Sequence, residues 1–302
     1  MSGESEAATV AKDASGATAA VDRPRVPRGP AVLFVPAGNG RALAKAPTLG
    51  ADAVIYDLED AVAPGAGEAA REALRAVLGG TGARPALTAV RVTHPASPDF
   101  AECLLAARAV RPDAIVVPKV EGPADLALVE DALEQMDAPP SVALWAMIET
   151  PRGVLDLAAV AAHGRRLAAL VAGTNDLSAA TGAERGHMRP WLMAIVLAAR
   201  ANGLLALDGV HNDLIDAAGC EAEAREGAAM GFDAKTLVHP SQIAPCRAGF
   251  RPGDPDIAHA RAVVAAFAAR PEAGVLTVDG RMVERLHLEA ARRLLTRIGD
   301  NA

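Results

Sequence analysis

The sequence predicts a (β/α)8 barrel with a C-terminal helical extension. Three observations carry this reading: eight short apolar runs, amphipathic stretches between them, and a length that suits one such barrel. The chain has 302 residues, and a barrel of this class typically takes about 250. Hydrophobic residues make up 51% of the chain and charged residues 22%, so a large core can form and disorder of the whole chain is excluded.

Residues 1–28 are dominated by small and polar side chains and carry Glu4, Glu6, Asp13 and Asp22. They lack the apolar stretch of a signal peptide, and a transit peptide would avoid the acids, so they read as a flexible tail. The strand candidates follow in order: 31–37, 53–59, 86–92, 114–119, 142–149, 167–174, 204–209 and 235–240. Each is nearly continuous in apolar residues, as expected of parallel strands buried on both faces. The stretches between them carry helix start signals, with proline at the expected first helical position in Ser97-Pro98, Gly122-Pro123, Thr150-Pro151 and Asp254-Pro255. Eight strand–helix units joined by right-handed crossovers close naturally into a barrel. A doubly wound open sheet is the alternative, but Gly38-Asn39-Gly40 after the first strand is not the GxGxxG that such a sheet uses to bind phosphate. The eighth barrel helix is expected over about 254–269, which bounds the barrel at 29–270. An extension over 271–302 follows, with a helix over 282–298 whose Val283, Leu286, Ala290, Leu294 and Ile298 share one side. That face needs a partner surface, and a neighbouring subunit is the expected one.

The net charge is −7, which argues against nucleic acid as a partner, because neutralising phosphate needs a basic surface. The 3% aromatic content offers no stacking platform for bases. No apolar run reaches about 18 residues, so no membrane span is expected. Cys103, Cys220 and Cys246 lie far apart and form no CxxC, which fits a reducing, cytoplasmic setting and excludes a thiolate zinc site.

In a barrel of this kind chemistry sits at the C-terminal ends of the strands. Those ends carry Asp57-Leu58-Glu59-Asp60, Arg91, Lys119 and Glu121, Glu149, Asn175-Asp176, Asp208 and His239. Glu149 and Asp176 end adjacent strands, which lie about 4.7–4.9 Å apart in a sheet. Two carboxylates that close repel unless one is protonated or a cation lies between them, and Mg²⁺ commonly takes one or two carboxylates and keeps waters. The plainer alternative has Glu149 capping the helix at Thr150-Pro151 and Asp176 opening a turn. Arg91, flanked by Val90 and Val92, must be paired if buried, either with a substrate carboxylate or with Glu59 or Asp60. Lys119 is read both as a substrate contact and as a surface partner of Glu121, and Asp57 is a further candidate substrate contact. His239 is a candidate base or a structural histidine.

The stretches LFVPAGNGRALAKAPTLGADAVIYDLEDAVAP, VRV, DAIVVPKVEG, MIETPRGVLDL, GTNDLSAATG, the run from LDGVHNDL to TLVHPSQI, and GRMVERLHLEAARRLL together resemble the HpcH/HpaI aldolase and citrate lyase family. The branch they are most similar to contains the citrate lyase β subunit, malyl-CoA lyases and citramalyl-CoA lyases. The resemblance runs from about 31 to 297. It implies a Mg²⁺ cofactor, with Glu149 and Asp176 as ligands and Arg91 and Glu149 as substrate contacts, and homo-oligomers, trimers or hexamers. The implied activity is cleavage of a carbon–carbon bond in a 3-hydroxyacyl-CoA such as malyl-, citramalyl- or citryl-CoA, giving acetyl-CoA and a 2-oxo acid, or the reverse condensation. It further implies a general acid in the C-terminal segment, acting in a neighbouring subunit's site; the matching residue here is Glu284, where the family has aspartate. Thr93 stands where the family has asparagine, and Ala234 where it has glycine. Two other readings are a β subunit working with an acyl carrier protein inside a multi-subunit citrate lyase, and an aldolase acting on free 2-oxo acids.

Overall fold

The computed structural model describes residues 26–80, 82–164 and 166–299, so most of the tail expected over 1–28 lies outside it. Eight parallel strands close into a barrel in sequence order: β1 (Ala31–Pro36), β2 (Ala53–Asp57), β3 (Thr88–Arg91), β4 (Ala114–Val117), β5 (Ala143–Ile148), β6 (Leu167–Ala172), β7 (Leu205–Asp208) and β8 (Ala234–Leu237), with β8 pairing back onto β1. All eight expected strands form. The intervening helices are α1 (Gly40–Lys45), α2 (Gly67–Leu78), α3 (Phe100–Ala109), α4 (Pro123–Gln135), α5 (Pro151–Leu155), α6 (Leu157–Ala161), α7 (Thr174–Thr181), α8 (Arg189–Ala201), α9 (Ala217–Met230) and α10 (Ile243–Phe250). Among the described residues no helix is long and apolar enough to cross a membrane.

Side chains alternate across each strand, and this sorts the core into two layers. Val32, Ile55, Ala89, Val116, Trp145, Val171 and Leu207 fill the barrel interior. Leu33, Val54, Tyr56, Val90, Ile115, Leu144 and Leu170 face the helices. The interior is lined mostly by alanine and valine, and fully buried Trp145 fills its middle. Continuing the inward series by two residues at the strand ends gives Ile55 to Asp57, Ala89 to Arg91 and Met147 to Glu149. The same periodicity that buries the core therefore aims these charges into the barrel mouth.

The C-terminal part departs from expectation. The helix packed after β8 is α10, not the stretch 254–269. That stretch forms α11 (Asp254–Ala269), which belongs to a separate apolar cluster. Its partners are a hairpin of β9 (Val275–Val278) and β10 (Arg281–Glu284) and a final helix, α12 (Arg285–Arg297). Ile257, Val263 and Phe267 of α11 pack with Leu276, Val278, Val283, Leu288, Ala291 and Leu295, each large side chain contributing roughly 1.5–3 kcal/mol when buried. The expected helical face is corrected accordingly. The helix starts at Arg285 because Asp279-Gly280, at φ +50° and +73°, turns the chain into a hairpin first. This rotates Leu286 outward and Leu288, Ala291 and Leu295 inward. The buried face of α12 is covered by α11 of the same chain, while Val275, Met282 and Leu286 remain exposed.

Candidate active site

Parallel register places Asp57 and Arg91 directly opposite each other on β2 and β3. Their side chains form a two-pronged pair: Arg91 Nε donates to Asp57 Oδ1 at 2.8 Å and Nη2 to Oδ2 at 2.6 Å. Asp57 is held from behind by the backbone N–H groups of Glu59 and Ala61. Arg91 Nη1 reaches Glu59 Oε2 at 3.0 Å and Asp60 Oδ2 at 3.3 Å, and the guanidinium lies 5.0 Å from the Phe34 ring centre. Such planar two-pronged pairs fix orientation as well as charge. Of the two alternatives read for Arg91, the internal pairing with Glu59 and Asp60 is present, and the residue also lines the cavity described below.

Glu149 follows β5 and is 1% exposed. Its Oε1 accepts the backbone N–H of Lys119 at 2.8 Å, while its buried Oε2 has no hydrogen-bond partner. Burial, reinforced by the charge of Asp176, pushes its carboxyl up to about 7. The donor to Oε1 comes from an unusual backbone. Lys119 has φ +51°, a left-handed conformation that costs roughly 1–2 kcal/mol for a residue other than glycine. Across from Glu149, Gly173 leaves room for the carboxylate, since a Cβ there would lie 2.2 Å from Glu149 Cβ and 2.3 Å from Oε2. Asp176 does not end β6. It sits four residues further on, in the first turn of α7, where a helix N-terminus favours negative charge.

Lys119 ammonium pairs with Glu59 Oε1, with Asp60 Oδ1 at 3.2 Å and with Asp176 Oδ1 at 3.9 Å. Burial alone would lower its pKa, but the hydrogen bond and charge of Glu59 and the charges of Asp60 and Glu149 raise it. It does not pair with Glu121. A cavity of about 380 Å³ opens above this group, lined by Asp57, Asp60, Arg91, Glu149, Gly173 and Asp176 on its polar side and by Phe34, Pro36, Met147, Val210 and Val238 on its apolar side. The cavity thus brings together Asp57, Arg91, Glu149 and Asp176. Lys119 stands behind it. Glu284 lies at the junction of β10 and α12, outside this cavity of its own chain.

Several strand-end residues face elsewhere. Asp208 points outward, where it joins Lys235, Arg185 and Glu223 in a buried charge network against α9. His239 is exposed and caps the turn at Pro240–Gln242, and His287 accepts the Glu284 backbone N–H.

Five carboxylates and two cations meet at this mouth, so the site carries excess negative charge. Among the described residues no group of three or more His, Cys, Asp or Glu is arranged to hold a metal. A buried, unpartnered carboxylate oxygen beside a second carboxylate nevertheless fits a hard dication that keeps most of its positions for water or ligand oxygens. Gly173 and the apolar wall were not read from the sequence. A glycine at a strand–helix junction was the available signal for the first.

The model of the HpcH/HpaI aldolase/citrate lyase family matches residues 30–240. The chain belongs to this family. It is 41% identical over 272 residues to a (3S)-malyl-CoA thioesterase of Cereibacter sphaeroides, covering 88% of this chain and 93% of that one. It is 32% identical over 289 residues to a mitochondrial citramalyl-CoA lyase of Homo sapiens, covering 88% and 84%. Among solved structures, CitE of Mycobacterium tuberculosis in complex with magnesium, acetoacetate and coenzyme A superposes with a TM-score of 0.76 at 36% identity, covering 90% of this chain and 98% of that one. Relatives of this chain are thus enzymes acting on CoA esters, a lyase in one case and a thioesterase in another.

Proposed function

We propose that this protein is a Mg²⁺-dependent carbon–carbon lyase that splits a 3-hydroxyacyl-CoA of the malyl, citramalyl or citryl type into acetyl-CoA and a 2-oxo acid. The observation that carries the reading is the unpartnered Oε2 of Glu149, buried beside Asp176 and Arg91 in one cavity. Glu149 and Asp176 would hold the ion. When bound, Mg²⁺ supplies Lewis-acid polarisation of the oxygens that become the 2-oxo acid and offsets the excess carboxylate charge.

The chain's own residues supply the rest. Arg91, locked by the Asp57 fork, presents a fixed positive charge toward oxygens on which negative charge develops. The apolar wall of Phe34, Val210 and Val238 offers no competing polar group and strengthens that interaction. In the cleavage direction the substrate hydroxyl gives its proton to water in the open cavity, the carbon–carbon bond breaks, and the released thioester enolate gains a proton at carbon. The cavity holds no uncommitted acid of its own for that last proton. Glu284 of a second copy, carried on the C-terminal module, is the group assigned to it, which also requires a homo-oligomer.

Similarity to a malyl-CoA thioesterase favours a second reading, in which thioester hydrolysis follows or replaces cleavage. One experiment separates the two. Malyl-, citramalyl- and citryl-CoA are each incubated with the protein and Mg²⁺, and 2-oxo acid and free thiol are followed in parallel. The lyase reading expects 2-oxo acid without thiol, and hydrolysis expects thiol. Neither product from any of the three would overturn both.

A further inference from the structure

The barrel mouth gathers more carboxylates than a Mg²⁺ site uses. Asp57 is consumed by the fork to Arg91. Glu59 and Asp60 are each bridged twice. Glu59 gives Oε2 to Arg91 and Oε1 to Lys119, and Asp60 gives Oδ2 to Arg91 and Oδ1 to Lys119. The same ammonium stands 3.9 Å from Asp176 Oδ1. Three carboxylates therefore surround one nitrogen. If that nitrogen is removed, Glu59 Oε1 and Asp60 Oδ1 each lose their cation close to Asp176, while Arg91 still holds the other oxygen of each.

The number of carboxylates around a dication decides both how tightly it binds and which ion is preferred. Mg²⁺ keeps its waters and settles for one or two carboxylates, whereas Ca²⁺ accepts six to eight oxygens in looser geometry. A further carboxylate would also fill a position that a substrate oxygen needs. We infer that the Lys119 ammonium is a positioning group that keeps Glu59 and Asp60 out of the coordination sphere, so that the site stays open and selective for Mg²⁺. The inference rests on the proposed reading of Glu149 and Asp176 as the metal pair. Lys119 is placed for both jobs at once: its backbone N–H fixes Oε1 of Glu149 on one side, and its side chain restrains the surplus acids on the other.

The test is calorimetric titration of the metal-free full-length protein with MgCl₂ and, separately, CaCl₂. Lys119→Met removes the charge and keeps most of the length. It is expected to bind Mg²⁺ about tenfold more tightly, as loss of a nearby positive charge implies, and to gain more for Ca²⁺ than for Mg²⁺. Lys119→Arg, which keeps the charge, should stay near wild type. Adding Glu59→Gln to Lys119→Met should reverse most of the Ca²⁺ gain, because the freed carboxylate is its source. If Lys119→Met does not fold, Lys119→Gly removes the same charge and relieves the φ of +51°. A purely structural lysine would weaken metal binding when lost, and one acting by charge alone would raise Mg²⁺ and Ca²⁺ affinity equally, so the larger Ca²⁺ gain and its reversal by Glu59→Gln are the distinguishing signature, and equal gains overturn the inference. Unchanged or weaker binding in the charge-removing variants, with wild type binding Mg²⁺ normally, overturns the role of Lys119 alone. No Mg²⁺ binding by wild type overturns the two-carboxylate reading itself, and this inference with it.

Discussion

At the scale of single residues, Glu149 is held in a costly state. Its folded pKa is about 7 against an ordinary 4.5, because burial and Asp176 disfavour the charged form. A carboxyl whose pKa is raised on folding adds stability below the unfolded value and loses it as pH rises through the folded value. The metal-free protein should therefore lose about 3 kcal/mol of stability between roughly pH 4.5 and pH 7 from this group. Glu149→Gln removes the charge and keeps an acceptor for the Lys119 N–H. The variant should melt higher than wild type at pH 8 without metal, show little difference at pH 5, and bind no Mg²⁺. Equal melting at pH 8, or normal Mg²⁺ binding by calorimetry, would count against the assignment. Arg91→Lys makes the complementary point. Lysine keeps the charge but not the fork to Asp57, so kcat/KM should fall by about 10²-fold in a protein that circular dichroism shows to be folded. That Arg91, Asp57 and Glu149 converge was legible because the inward alternation of each apolar strand runs on into its charged end. The bridging of Glu59 and Asp60 by Lys119 was not, since it depends on a left-handed backbone at a residue that gives no sign of it.

At the scale of elements, the site is a product of register. The β5–β6 pairing sets Ile148 against Ala172, which brings Gly173 beside Glu149. A Cβ at 173 is fixed to the backbone and cannot turn away from contacts of 2.2 and 2.3 Å. Gly173→Ala should thus displace the Glu149 carboxylate and lower Mg²⁺ affinity at least tenfold, as a shifted ligand implies, while far-ultraviolet dichroism stays unchanged. Wild-type affinity in that variant would show that the loop absorbs the methyl group. Strands were readable from β-branched runs, and their ends fell within a few residues of the expected ones. The β9–β10 hairpin was missed although Asp279-Gly280 between apolar residues is its usual signal. A helical reading of 282–298 had already absorbed those residues, and its regular spacing of apolar positions hid the change of period.

At the scale of the whole molecule, the boundary between barrel and C-terminal module decides where the chain can be cut to test the proposed role of Glu284. Because α11 packs with the hairpin and α12, the natural cut lies before Asp254 rather than near residue 270. Cutting at 270 would strip Ile257, Val263 and Phe267 of their partners and expose them. A chain ending at Gly253 should keep the barrel and bind Mg²⁺ through Glu149 and Asp176, yet turn over no substrate if Glu284 supplies the proton. The module carries Val275, Met282 and Leu286 exposed beside Glu284, an apolar surface suited to another chain. A site shared in this way makes a specific demand on mixed oligomers. Glu284→Ala subunits retain an intact mouth, and Arg91→Ala subunits retain an intact module. Each alone should be inactive, and co-refolded mixtures should regain activity wherever an Arg91→Ala module covers a Glu284→Ala mouth. The comparison is turnover in the mixture against each parent at equal total protein, with mixed assembly verified by differential tagging. No recovery in verified mixed oligomers means the site is not shared between chains, and full activity of Glu284→Ala alone removes this residue from the chemistry.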